Sequence, residues 1–133
     1  GNMRKNKYNK EQSYQGAVNM LNRITSHYNN GWFSRSDFTH YMGFKIKEIR
    51  LDLNLTQTDL SKACDCTFQQ IQKYENGVNT ISLYKLILLT RFLNKVIKTF
   101  NKNKENKKPY IGVETFTKPI TQLINGGDND NKS

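Results

Sequence analysis

An all-helical fold is predicted for this chain: five helices over residues 38–100, a separate helix near 13–29 ahead of them, and a polar extension behind. Three observations predict it. Apolar residues recur at helical spacing through most of the stretch. Thr56 and Thr67 each stand where an N-cap would open a short helix. Asn29-Asn30-Gly31 and Asn76-Gly77 supply stops, with a glycine suited to the left-handed conformation.

Residues 1–12 are polar and basic and read as a flexible N-terminus. Tyr14, Ala17, Val18, Leu21, Ile24 and Tyr28 then share one helix face, and with a linker holding Trp32 and Phe33 they make an additional unit, 13–37. Ser36 or Asp37 is expected to cap the next helix, whose apolar positions are Phe38, Tyr41, Met42, Ile46, Ile49 and Leu53. Thr56 opens a helix through Ala63, and Thr67 opens another through Glu75. A fourth runs from Ser82 to about Asn94, and Val96, Ile97 and Phe100 close the bottom of the core a turn later. Leu83, Leu86, Ile87, Leu89 and Leu93 suffice for its core face, yet Tyr84, Leu88 and Phe92 add a second stripe. A helix apolar on most sides needs cover on most sides. The cover is expected from residues 14–28, from the C-terminal segment or from a second subunit. Residues 101–133 read as a polar linker and tail, opening on the solvated run Asn101–Lys108. Within the tail, Tyr110, Ile111, Val113 and Phe116 suggest an extended piece, and Pro119 to Gly126 encloses one amphipathic turn with Ile120, Leu123 and Ile124.

With 133 residues the chain is too short to add a sensing or catalytic domain of typical size to such a unit. Its 21 Lys and Arg against 11 Asp and Glu give a net charge of +10, which points to a polyanionic partner. That charge divides as +4, +4 and +2 over residues 1–42, 43–100 and 101–133, so it accompanies the folded part. The longest apolar run, Ile81 to Leu93, is broken by Ser82, Lys85, Thr90 and Arg91 and falls short of the ~18 residues of a membrane span. Lacking an apolar leader, the chain is expected in the cytoplasm, with Cys64 and Cys66 as buried reduced thiols. With only His27 and His40 besides these, no metal site and no cofactor are expected, and both histidines are expected at the surface without an acid partner. No nucleophile stands with a paired base, so an enzyme is not expected.

Between Phe44 and Leu93 the chain reads IKEIR, LTQTDL, a turn at Asp65, TFQQIQKYENG, then ISLYKL and FL. This order resembles the Cro/CI type of helix-turn-helix, the XRE family of phage-repressor-like regulators. The TFQQIQKYENG segment is also similar to that of small single-domain alphaproteobacterial regulators. The resemblance implies a lambda-repressor-like fold and a sequence-specific transcriptional regulator, a repressor, bound to double-stranded DNA as a homodimer.

In such a motif the second helix lies in the major groove while the first crosses the backbone, so the second must be polar outside and apolar inside. Thr67 caps it, Ile71 and Tyr74 face inward, and Phe68, Gln69, Gln72 and Lys73 face outward, with Gln70 at the margin. Gln pairs with adenine N6 and N7, Lys donates to guanine O6 and N7, and an aromatic edge contacts a thymine methyl. The resemblance assigns Gln57 a phosphate and a bracing role. Thr56 caps the same helix, whose N-terminal amides suit a phosphate oxygen. Asn76 and Asn79 are weaker phosphate candidates. Arg50 and Glu75 match a charged pair that joins the first and third helices of the family. Asp65 stands where the family usually has glycine and must take the left-handed conformation, and Ser61 and Thr90 stand where alanine is common. Two other functions fit the same residues: an antitoxin whose residues 109–126 contact a toxin, and an adaptor whose helix-turn-helix binds protein.

Overall fold

Hydroxyl side chains open four of the helices by one device. The computed structural model describes residues 8–29 and 34–129, with side chains given up to residue 27 and over 34–122. Its elements are α1 (Lys10–Asn29), α2 (Arg35–Asp52), α3 (Gln57–Ala63), α4 (Phe68–Glu75), α5 (Leu83–Asn101) and α6 (Val113–Asn129). The fold is all-α, and no strand occurs among the described residues. The linker residues Trp32 and Phe33, the stop at Asn30-Gly31, residues 1–7 of the N-terminus and the side chains of Tyr28, Leu123 and Ile124 lie outside the described residues. Ser34, Thr56, Thr67 and Ser82 each accept a hydrogen bond from the backbone N–H three residues on, satisfying an amide that a helix start leaves open. At α3 the bond is reciprocated, the Thr56 N–H donating to the Asp59 carboxylate at 2.9 Å.

The cap of α2 is therefore Ser34, neither Ser36 nor Asp37. Asp37 is buried, and its carboxylate is taken by α1: Arg23 Nε donates to one oxygen at 3.1 Å, and His27 Nδ1 bonds the other. His27 thus has the acid partner that the sequence did not suggest. A carboxylate without solvent needs such partners, and here they lock α1 to α2.

α2 lies between α1 and α4, α3 touches α4 and α5, and α6 reaches α1, α2 and α5. Met42 and Ile46 of α2, Leu60 and Cys64 beside α3, Ile71 and Tyr74 of α4, and Leu86, Leu89 and Leu93 of α5 form the main core. A smaller cluster joins Ile24, Tyr41 and Ile120, so α1 is covered by α2 and α6, and not by α5 as expected.

α5 runs unbroken to Asn101, so four helices, rather than five, occupy 38–100. On its inner side two asparagines, two turns apart, hold the returning chain. The Asn94 amide donates to Ile111 O at 2.8 Å and accepts from Ile111 N at 2.9 Å. Asn101 repeats the pattern with Lys108 O at 2.9 Å and Lys108 N at 2.8 Å. The extended piece expected over 110–116 ends at Gly112, and Phe116 instead lies within α6, fully buried in the main core. Pro119, expected to open a single turn, is inside the same helix. Its missing N–H and ring clash cost about 3 kcal/mol. Burying Phe116 and Ile120 on either side contributes roughly 1.5–3 kcal/mol each, which offsets it.

The outer face of α5 differs from expectation too. Phe92 packs on the core and Leu88 is half-buried, whereas Leu83, Tyr84 and Ile87 are 62%, 68% and 43% exposed. Among the described residues no helix is long and apolar enough to cross a membrane.

Candidate nucleic-acid interface

The position of α4 is set from behind. Gly43 brings the α2 backbone against its last turn, so close that a Cβ there would lie 2.1 Å from Tyr74 O. Only glycine permits that approach. Beside it, Arg50 forms a bidentate ion pair with Glu75, Nε to Oε2 at 2.7 Å and Nη2 to Oε1 at 2.9 Å. Arg50 Nη1 also donates to Leu55 O at 3.0 Å, and Gln57 Nε2 donates to Glu75 Oε1 at 2.9 Å. Glu75 is almost fully buried, and these donors supply what water would otherwise give its charge. One carboxylate at the end of α4 is thereby tied to α2 and to the first residue of α3.

The turn between α3 and α4 is fixed from α5. Asp65 takes φ 53°, which leaves the carbonyls around it turned outward from the helix ladder. Lys85 Nζ collects two of them, Cys64 O at 3.0 Å and Asp65 O at 3.3 Å, and Cys64 Sγ donates back to Lys85 O at 3.8 Å. Burial pushes the Cys64 thiol up to about 12 and raises that of Cys66, so both are neutral packing groups near neutral pH. Behind α4 the chain leaves through Gly77 at φ +76°, where a Cβ would meet the His40 ring at 2.5 Å. Thr39 and Thr80 hydroxyls then share a 2.6 Å hydrogen bond that docks the following loop on α2.

Held this way, α4 buries Ile71 and Tyr74 and turns Phe68, Gln69 and Lys73 outward, Phe68 being 40% exposed. Gln70 and Gln72 are half-buried. Thr67 is exposed at the N-cap and Asn76 at the C-cap. Thr56 is exposed at the start of α3, and Gln57 beside it is half-buried with its amide on Glu75. Sequence reading did not single out Gly43 or Lys85. A glycine inside a helix is the signal that could have found the first, and nothing local points to the second.

Residues 46–96 match the protein family described as Helix-turn-helix. This stretch is a helix-turn-helix domain. The domain begins inside α2 and ends inside α5, so α1 and α6 are outside it. An uncharacterised HTH-type transcriptional regulator of Rickettsia conorii is 37% identical over 79 residues, 59% of this chain and 56% of the relative. A second, from Rickettsia prowazekii, is 37% identical over the same length, 59% of this chain and 54% of the relative. An uncharacterised transcriptional regulator in the ATPase CF(0) region of Rhodospirillum rubrum is 35% identical over 69 residues, 52% of this chain and 64% of that protein. The chain thus spans little more than half the length of the Rickettsia relatives it matches. No solved structure matches it at a significant level.

Proposed function

We propose that this chain is a sequence-specific, DNA-binding transcriptional regulator, a repressor, that reads the major groove with α4 as a homodimer. The observation that carries the reading is an exposed face of Phe68, Gln69 and Lys73 on a helix-turn-helix helix whose orientation is fixed by three hydrogen bonds to Glu75, two from Arg50 and one from Gln57, and by Gly43. Base edges are read at hydrogen-bond tolerance, so a reading helix has to be rigidly placed. In this reading Phe68, Gln69 and Lys73 contact bases, Gln70 and Gln72 lie at the margin, and Thr56, Gln57, Thr67 and Asn76 serve the backbone. The two Rickettsia relatives are themselves called HTH-type transcriptional regulators.

A homodimer is favoured by the exposed Leu83, Tyr84 and Ile87, which lie at the start of α5, one loop away from α4. One recognition helix gives too few contacts for the ~4–10 kcal/mol by which specific sites exceed non-specific ones. A two-fold through this face would set two recognition helices about 34 Å apart, facing an inverted repeat. A toxin-binding role for residues 109–126 gains no comparable support, since Phe116 and Ile120 are spent inside this chain.

Selection of bound fragments from random duplex DNA tests the reading, and an inverted repeat is the expected outcome. On the selected site Gln69→Ala should cost roughly 1–3 kcal/mol and relax preference at one position of each half-site. Full affinity and full discrimination in that variant would refute the role of Gln69.

A further inference from the structure

A second polar feature borders the start of α4. Arg35 at the first residue of α2, Thr67 and Gln70 at the start of α4, Asn79 and Thr80 in the following loop, and Lys85 of α5 line an open cleft of about 590 Å³. No carboxylate lines it. Arg35 is exposed and, among the described residues, has no ion-pair or hydrogen-bond partner. Lys85 spends two of its three donors on Cys64 O and Asp65 O, so its position is fixed while its charge stays uncompensated by any acid. Four separate segments therefore converge on a site that offers a guanidinium, an ammonium, two threonine hydroxyls, two amides, the Tyr74 phenol and the Cys66 thiol.

That donor set suits an anion with several oxygens, because guanidinium pairs bidentately with phosphate and the hydroxyls can donate to it. The place of the cleft chooses which anion. Thr67 and Gln70 belong to the same first turn of α4 as Phe68 and Gln69, so whatever fills the cleft lies directly beside the groove that α4 would enter. We infer that the cleft is a seat for a backbone phosphate of the bound duplex, with Arg35 as its principal donor. This rests on the DNA-binding reading above and adds to it a phosphate seat whose principal donor lies outside the helix-turn-helix match, since Arg35 precedes residue 46. It also gives a role to the extra length of α2 ahead of that match.

The test is the salt dependence of duplex binding by the full chain, measured by fluorescence anisotropy between about 50 and 200 mM salt on the selected site and on random duplex. Each neutralised phosphate contributes about −0.9 to the slope of log K against log salt. Arg35→Gln should make that slope shallower by about one unit on both duplexes while leaving the ratio of specific to random affinity unchanged. Arg35→Lys should keep most of the slope. Lys98→Gln, the same charge change on an exposed part of α5 away from the cleft, should leave it alone. A slope for Arg35→Gln equal to that of the wild type, or equal changes in Arg35→Gln and Lys98→Gln, would overturn the seat. Inorganic phosphate titrated into the free protein separates the remaining source: saturable NMR shifts at Thr67 and Thr80 together with an unchanged duplex slope would assign the cleft to the free anion and overturn the inference. Failure of the wild type to bind any duplex would overturn the DNA-binding reading, and the seat with it.

Discussion

Cys64 carries the most consequence of any single buried group in the helix-turn-helix turn. Its thiol is fully buried, and burial holds its folded pKa near 12 against an ordinary value of 9.0. The folded state therefore binds a proton that the unfolded chain releases first. The stabilisation is complete below pH 9 and is lost as pH climbs toward 12; Tyr41, raised from 10.0 to about 12 by burial, acts in the same direction from pH 10 upward. Urea unfolding followed from about pH 8 to 11 should show stability falling above pH 9, and falling less steeply in Cys64→Ser. Parallel pH profiles for the two proteins would contradict the assignment. The same burial predicts that iodoacetamide at pH 8 labels Cys66 before Cys64. None of this was readable beforehand beyond the expectation of buried thiols, because the reciprocal bonds between Cys64 and Lys85 join residues 21 positions apart.

At the scale of elements, α2, α3 and α4 behave as one unit because one carboxylate serves all three. Glu75→Gln would remove the charge that Arg50 needs and leave a buried guanidinium short of its partner. Breaking a buried pair in this way costs roughly 3–5 kcal/mol, whereas replacing both members by apolar residues of similar volume is often close to neutral. Thermal or urea denaturation should therefore rank Glu75→Gln well below an Arg50→Met/Glu75→Leu double variant. Equal stability of the two would mean that the pair has no such role. These helices were legible in the sequence for a local reason: Thr56-x-x-Asp59 and Thr67-x-x-Gln70 write their own caps within one turn. The start of α2 was misread because Ser36 and Asp37 lie just past the actual cap, Ser34, and Asp37 is taken instead by Arg23 and His27 on another helix. α6 was misread because Pro119 is a local stop signal, while the burial that overrides it is a property of the assembled core. Arg35 and Lys85 left no local trace at all, since their meaning depends on the segments they meet.

For the whole molecule, periodicity correctly announced an apolar surplus on α5 but could not say which part of it the chain itself would cover. Residues 88 and 92 were assigned to the outside, and 83 and 87 to the core; in the structure Phe92 packs on the core and Leu88 is half-buried, while Leu83 and Ile87 are exposed. What stays exposed is Leu83, Tyr84 and Ile87, with Arg91 continuing the same side. If a second copy covers this face, Ile87→Glu should yield a monomer in sedimentation with its melting temperature at low concentration unchanged, and should bind a half-site as the wild type does while losing the preference for the inverted repeat. A wild type that sediments as a monomer at micromolar concentration, both free and on its selected DNA, would leave the face without that role.

The asparagine clasps on α5 set an order of events in the making of the protein. α3 and α4 are synthesised before Phe116, which belongs to the same core, has left the ribosome. Until then the main core lacks that side chain, and the backbone of residues 108 and 111 has not yet reached Asn101 and Asn94. A nascent chain that has emerged only as far as the exposed stretch 102–107 therefore holds all of α4 and the Arg50–Glu75 pair that places it, but not the Phe116 that completes their core. Completion of the core that α4 shares is in this sense timed by residues 108–120, which follow α4 and α5 along the chain.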